Sequence, residues 1–599
     1  MNQMQAAISA FQNNDFEQAE TLLLNIVNRT QHVDARHLLG LICSRTGRYE
    51  QAVQWMQEAL RISPQQPAIH NNLANALRRL NRFDEAIRHY QAAIAQQGDY
   101  ADAYRNFAQL LMDIGQPLDA QTVLNSGLRF IPGEPTLLNA LGLSYQQQNN
   151  FPAAIQTFQQ ALAQRPDYVL AEHNLGVALR LNNQPQLALD CYDRLAASGI
   201  DRFEIWQNKG NALSDLGRLE EAAECYRRVI AVAPDYVDAH HNLSATLWVL
   251  GEQENFLQSY EQVFDAGNMT PALALAYTDA LLSVDRNTEA MNFLRQAGNR
   301  IDTGQAPFLD MLARSHFQAG DYPTAIALHE QALTAPGAND NCRITYGITL
   351  LCAGQTDKAV IVLKDVLSRF PNDQMALAHY MTGLQILGDP DADRLANPAL
   401  IAGYRLPVPE GYPDLAAFNR ALADYLTGLH TGKEHPYEQT LREGTQTPGN
   451  LFGREEPVLN ALVAGLRTVI AQHIARVSQE PAPYPAFRGG PDFDFSGSWS
   501  VRLRKQGYHT QHIHPMGWFS SAYYVKVPER VRHTDHREGW ISFGEPNLSL
   551  PKNVEPFQFE QPEPGKLVLF PSYMWHGTVP FDSDEERITV AFDVVPVHG

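Results

Sequence analysis

The chain has 599 residues, 44% of them hydrophobic, with 46 Lys and Arg against 66 Asp and Glu, for a formal net charge of −20. That apolar content builds packed cores and excludes disorder as a description of the whole, while the acidic balance argues against nucleic acid and anionic membrane surfaces, which need stripes of Lys and Arg. No run of 18 apolar residues occurs, residues 1–20 contain no basic, apolar leader, and Cys43, Cys191, Cys225, Cys342 and Cys352 are odd in number and lack metal-type spacing, so a reduced, cytoplasmic setting without a membrane span is expected. All five cysteines precede residue 400, whereas 10 of 20 histidines and 20 of 36 prolines follow it. Two architectures therefore share the chain.

The first is periodic. Ala52, Ala86, Ala120, Ala154, Ala188 and Ala222 recur every 34 residues; the register continues through Phe256 and Ala290, then Ala325 and Ala359 after one inserted residue, and Ala19 stands 33 before the first. Twelve residues ahead of each alanine is a second small residue, as in Gly40, Ala74, Gly142, Gly176 and Gly210. Four residues after the periodic alanine a bulky one recurs, as in Tyr90, Phe158, Tyr192 and Tyr226, and Pro64, Pro132, Pro166 and Pro234 close several units. Each unit reads as two helices: small residues mark the close approach, bulky ones fill the next layer, and proline stops the second helix. One hairpin cannot bury its apolar face alone, so the units must stack. The pattern resembles tetratricopeptide repeats, about eleven of them over residues 1–390. Such a stack offers a groove for a protein or peptide partner, and its acidic bias suits a basic segment; a spacer or dimerisation arm is the other reading. Trp206 and Trp248 read as core residues.

After Gly388 the register ends, and Asp389, Pro390 and Asp391 open a turn-rich passage. Residues 414–431 and 456–477 keep helical spacing of apolar positions, and Pro481, Pro483 and Pro485 mark a break. Runs of β-branched and aromatic residues follow at 499–504, 520–527, 539–543, 566–570 and 587–592. Bounded by Gly, Pro and Asp, they predict strands of a β-sandwich or barrel, paired antiparallel. The domains expected are the solenoid, 1–390; a linker and helical support, 391–497; and a β core, 498–599.

On the predicted strands, His512 and His514 alternate and share a face; an apolar strand ends at Phe570, and residues 571–575 lead from it into His576, 62 residues after His514. Three imidazoles converging from two strands would make an open metal site. Arg587 begins the last strand, and a guanidinium directed into a barrel is costly unless an anion meets it. Tyr523 and Tyr524 face opposite ways. His509, three residues before His512, faces away from it on a regular strand; His533 and His536 read as ordinary histidines of a charged loop, and Trp499, Trp518 and Trp575 as walls or rims.

The order His512-x-His514, Tyr523-Tyr524, a Pro-Gly turn at Pro564 and Gly565, an apolar strand, His576 and Arg587-x-Thr589 resembles the Fe(II)/2-oxoglutarate dioxygenases, and within them a bacterial His-x-His-Pro subgroup often joined to tetratricopeptide repeats. The resemblance covers about residues 498–596. It implies a multidomain protein: an all-α tetratricopeptide-repeat solenoid followed by an α+β double-stranded β-helix, or jelly-roll, domain. It further implies that His512 and His576 hold iron, that Arg587 pairs with the distal carboxylate of 2-oxoglutarate beside the Thr589 hydroxyl, and that Tyr524 reaches the same carboxylate. His514 stands where the family usually has Asp or Glu. It is either the third, neutral ligand or lies behind the metal while water or an anion completes the sphere; loss of iron binding is the third reading. The implied activity is a dioxygenase using Fe(II), 2-oxoglutarate and O2, with ascorbate as a possible reductant, that hydroxylates a protein or peptide recruited by the repeats. A cupin-like metal domain and a non-catalytic interaction scaffold are the rivals; the absent glutamate after His514 and the Arg587-x-Thr589 pair count against the cupin. Oligomeric state is not legible.

Overall fold

The computed structural model describes residues 3–298, 304–437, 439–479, 492–532 and 536–597. The proline break at Pro481, Pro483 and Pro485 and the loop residue His533 lie outside them. By compactness the chain divides into two units, 1–200 and 201–599, a boundary that falls within the repeats.

The first unit consists of six helix pairs, from Gln3–Gln12 and Phe16–Val27 to Val169–Leu181 and Pro185–Ala197. The recurring alanines Ala19, Ala52, Ala86, Ala120, Ala154 and Ala188 are wholly buried. At Gly176 an added Cβ would come within 2.8 Å of the Tyr192 ring, so the small residue of the first helix is the seat for the bulky residue of the second. Helices Tyr49–Ile62, Pro117–Phe130 and Phe151–Gln164 each stop two residues before a proline, because the residue preceding proline is driven out of the helical region.

The second unit begins with five more pairs, Phe203–Asp215 with Leu219–Val232 through Asp340–Cys352 with Thr356–Arg369, and a final helix, Gln374–Leu387. Among the described residues of the chain this makes eleven pairs. In one pair the second helix, Gln258–Asp265, is only eight residues long. Phe256 occupies the alanine position just before it and packs its ring 5.0 Å from Trp248, a volume the close helix crossing cannot admit. Neither tryptophan read as core is fully enclosed: Trp206 lies beneath Arg228, 3.8 Å from its centroid, and Trp248 meets Tyr437 at 5.7 Å.

The strands of this unit are β1 (Ala402–Arg405), β2 (Leu441–Gln446), β3 (Phe493–His509), β4 (Phe519–Lys526), β5 (Ile541–Phe543), β6 (Gln558–Glu560), β7 (Lys566–Pro571), β8 (His576–Thr578) and β9 (Arg587–Pro596). They form a large sheet, β1-β7-β4-β9-β3-β2, and a small one, β6-β5-β8, antiparallel throughout. From β3 onward the chain passes back and forth between the two sheets, the path of a jelly roll. The strands the sequence did not signal, β1, β2, β6 and β8, are short; β1 and β2 are the edges of the large sheet and carry polar residues and glycine, as edges do.

Helices Leu415–Leu429 and Pro457–Val477 belong to the jelly-roll core, as do Leu377, Ala378 and Met381 of the last repeat helix. Tyr523, on the outer face of β4, donates to Asn419 Oδ1 at 2.7 Å. Among the described residues Pro457–Val477 is the one helix long and apolar enough to cross a membrane; its stripe from Leu459 to Val477 is spent on this core. The last repeat helix reaches the back of the small sheet, where Trp575 Nε1 donates to Thr382 Oγ1 at 3.1 Å.

Candidate metal centre

Beyond β3, residues 511–513 run beside β8. The His512 amide donates to the His576 carbonyl at 2.9 Å, and the His576 amide returns the bond at 3.0 Å, a single antiparallel bridge at the edge of the small sheet. Gly577 permits the approach: a Cβ there would lie 3.0 Å from the His509 carbonyl oxygen and 2.9 Å from Gln511. The His514 amide is held by the Ser572 carbonyl at 3.0 Å. The backbone thus fixes all three histidines before their side chains are considered.

The rings are fixed as well. His512 Nδ1 lies 2.8 Å from the Thr510 carbonyl oxygen, His576 Nδ1 2.9 Å from that of Met574, and His514 Nδ1 2.7 Å from Asp593 Oδ1. Each partner can only accept, which puts a proton on Nδ1, so that in a neutral ring Nε2 carries the free lone pair. Those nitrogens converge: His512 Nε2 and His514 Nε2 are 3.2 Å apart, and the ligating atoms of His512, His514 and His576 all lie within 4.8 Å of one another. Burial and the neighbouring His514 push His512 down to about 3; burial, then His512 and His514, hold His576 well below the ordinary histidine value. Neutral imidazoles with lone pairs aimed at one point repel unless a cation sits between them, and this donor set fits a divalent transition metal.

Arg587 is 3% exposed. Its Nη1 donates to the Gly539 carbonyl at 2.7 Å and its Nε to Thr589 Oγ1 at 3.3 Å, and its guanidinium carbon stands 4.9 Å from the Tyr524 ring centroid. No carboxylate among the described residues pairs with it, and the buried Tyr524 hydroxyl has no hydrogen-bond partner there. Burial pushes the guanidinium below its ordinary value, partly opposed by Tyr524; it remains a cation. A buried guanidinium with spare donors beside two hydroxyls suits a carboxylate of 2-oxoglutarate. Tyr524 and Thr589 are cross-strand partners, so β4 and β9 bring these three groups together, while Tyr523 faces the helices.

His509 is no member of the triad, although its ring stacks 5.7 Å from that of His512; burial, His512 and the Arg587 guanidinium keep it well below the usual value. His536 is exposed. Trp499 lies against His514, ring centroids 5.8 Å apart, and Trp575 backs the β8 end of the site. Sequence reasoning missed Asp593, Ser520 and the carbonyls that orient the rings. Asp593 had a signal: it is a lone acid in an apolar strand, at the same two-residue period as Arg587 and Thr589.

Fold and site define a repeat array joined to a jelly roll with a three-histidine centre. Comparison with known proteins agrees. Residues 497–593 match the family described as "Putative 2OG-Fe(II) oxygenase", and tetratricopeptide-repeat families match at 4–67, 77–142, 139–202, 210–251 and 316–379. The chain is a tetratricopeptide-repeat protein fused to a domain of that oxygenase family. Tetratricopeptide repeat protein 8 of Mus musculus is 30% identical over 111 residues, 18% of this chain and 21% of that protein. Protein FlbA of Caulobacter vibrioides is 25% identical over 195 residues, 32% of this chain and 33% of that one. The chain thus spans a fifth to a third of the length of these curated relatives. Yeast Tom70 is 12% identical, covering 66% of this chain and 97% of its own, with a TM-score of 0.37.

Proposed function

We propose that the protein is an Fe(II)- and 2-oxoglutarate-dependent dioxygenase that hydroxylates a protein or peptide recruited by its repeats. The reading rests on one observation: three imidazoles whose ligating nitrogens lie within 4.8 Å of one another share a small domain with a buried guanidinium that no carboxylate among the described residues pairs with. Three imidazoles alone suit zinc or copper as well as iron; the anion clamp and the family favour iron. His512, His514 and His576 would hold the metal, while Arg587, Thr589 and Tyr524 would fix the far carboxylate of 2-oxoglutarate.

Bound iron with 2-oxoglutarate and O2 supplies the oxidising power: one oxygen atom enters the product, the other enters succinate, and carbon dioxide leaves. The chain's own work is placement. Thr510, Met574 and Asp593 keep each Nδ1 protonated so that Nε2 presents its lone pair, Arg587 neutralises a carboxylate, and the Trp499 ring walls the His514 side of the site. Partner recognition is assigned to the solenoid, 1–390, support to 391–497 and chemistry to 498–599. Within the second unit part of the repeat surface is taken by the chain itself: Tyr437 packs on Trp248 and Phe256, and the Lys433 amide donates to the Val249 carbonyl at 3.1 Å. The repeats before residue 200 are therefore the proposed recruiting surface. A reducing, cytoplasmic compartment fits the five buried, free cysteines.

The test is succinate release from 2-oxoglutarate with Fe(II) and ascorbate, alongside metal analysis of anaerobically purified protein. Wild type should bind iron and release succinate above background, and His576→Ala should do neither. Equal succinate from both proteins refutes the reading.

A further inference from the structure

We propose that Asp593 is the positioning residue that makes His514 a metal ligand and returns to the centre the negative charge that a ligating carboxylate would supply. This rests on the metal-centre reading above. His512 and His576 lean on neutral backbone carbonyls; His514 alone leans on a carboxylate, Asp593 Oδ1, at 2.7 Å. The same oxygen accepts from Ser520 Oγ at 2.7 Å, and Ser520 Oγ lies 2.9 Å from Ser572 Oγ. Asp593 is 8% exposed, and no Arg or Lys among the described residues forms an ion pair with it. A buried carboxylate without a cation is costly. A dication one imidazole away would be its counter-charge.

The surroundings are shaped for this contact. The chain after His514 turns through Gly517, where a Cβ would lie 3.3 Å from Asp593 Cβ and collide with Ser572. Only a residue without a side chain lets the turn close over the carboxylate. The next residue, Trp518, is pinned by its amide to the Val594 carbonyl at 2.7 Å, beside Asp593 on β9. Along that regular strand Arg587, Thr589 and Asp593 share a face, so one strand would carry both the anion clamp and the anion. The charges close. Three neutral imidazoles leave a dication at +2; with Asp593 behind His514 the net charge is +1, the value given by two histidines and one ligating carboxylate. A carboxylate behind a metal-bound imidazole fixes the ring and raises its basicity.

The test is Co(II) titration of the full chain, read by visible d–d absorption and by competition with a chelator, for wild type, His576→Ala, His514→Ala, Asp593→Asn and the double variant His514→Ala/Asp593→Asn. Asparagine keeps an acceptor for both donors and removes only the charge. Asp593→Asn should weaken Co(II) about 10- to 100-fold and shift the absorption bands, and in the His514→Ala background it should change affinity less than about 3-fold, since it acts through that ring. Should Asp593→Asn fail to fold, Ser520→Ala, which loosens the carboxylate, should weaken Co(II) while leaving the fold intact. Wild-type affinity and unchanged bands in the folded Asp593 or Ser520 variant, with His514→Ala impaired, overturn the proposal and leave the metal centre standing. An equal loss in both backgrounds overturns it too, because Asp593 then does not act through His514. Absence of Co(II) binding by wild type overturns the metal-centre reading and this inference with it.

Discussion

Replacing Arg587 with methionine should move two observables apart. The guanidinium is 3% exposed and has a carbonyl, a hydroxyl and an aromatic face for company, but no carboxylate among the described residues. Methionine of similar length loses the cation–π contact, about 1 kcal/mol, and orphans the Gly539 carbonyl, about another 1 kcal/mol. Against this, removal of an uncompensated buried charge returns a few kcal/mol. The net effect on stability should lie within about 2 kcal/mol of zero. Binding of 2-oxoglutarate loses two charge-assisted hydrogen bonds, at roughly 1.5–3 kcal/mol each; that is about 3–6 kcal/mol, or two to four decades in affinity. Isothermal titration with 2-oxoglutarate and Mn(II), beside denaturant unfolding of the metal-free protein, measures both. A variant that loses much of its stability yet binds 2-oxoglutarate within 3-fold of wild type would show that Arg587 is a structural residue, and the clamp assignment would fail.

Gly577→Ala should drive β8 from the His509 carbonyl and Gln511, disturb the His512–His576 backbone pairing and weaken Co(II) at least 10-fold; unchanged affinity would mean that the close approach is not needed. Burial holds His473 at about 3, helped by Arg476, and His379 at about 4, against an unfolded value near 6.5. The unfolded chain therefore takes up protons first on acidification, so the stability these residues contribute is complete above about pH 6.5 and falls as the pH drops toward their folded values. At pH 5 the loss is about 2 kcal/mol for each, visible in calorimetry as a lowered unfolding temperature relative to pH 7.5; equal midpoints would refute it. Gly176→Val should cost about 1–3 kcal/mol by overpacking against Tyr192, read as a drop in thermal midpoint, and an unchanged midpoint would remove the close-approach explanation of the small-residue positions.

The repeats were legible because their physics is local: a 34-residue period of small and bulky residues specifies a helix pair and its stacking without reference to anything distant. The same holds for the alternation that puts His512 and His514 on one face and for Arg587 leading an apolar strand. Tertiary structure decided the rest. Edge strands β1 and β2 bury little and so leave weak patterns, and the helices Leu415–Leu429 and Pro457–Val477 were seen as helices but not as part of the jelly-roll core, because an apolar stripe does not say what it faces. Nothing between positions 514 and 593 announces that this imidazole and this carboxylate meet; they lie 2.7 Å apart only because the chain crosses between the two sheets and returns as β9 through the middle of the large one. Hydrophobic period is written in neighbouring residues, whereas the partner of a buried polar group is chosen by topology, and it is there that the chemistry of this centre is settled.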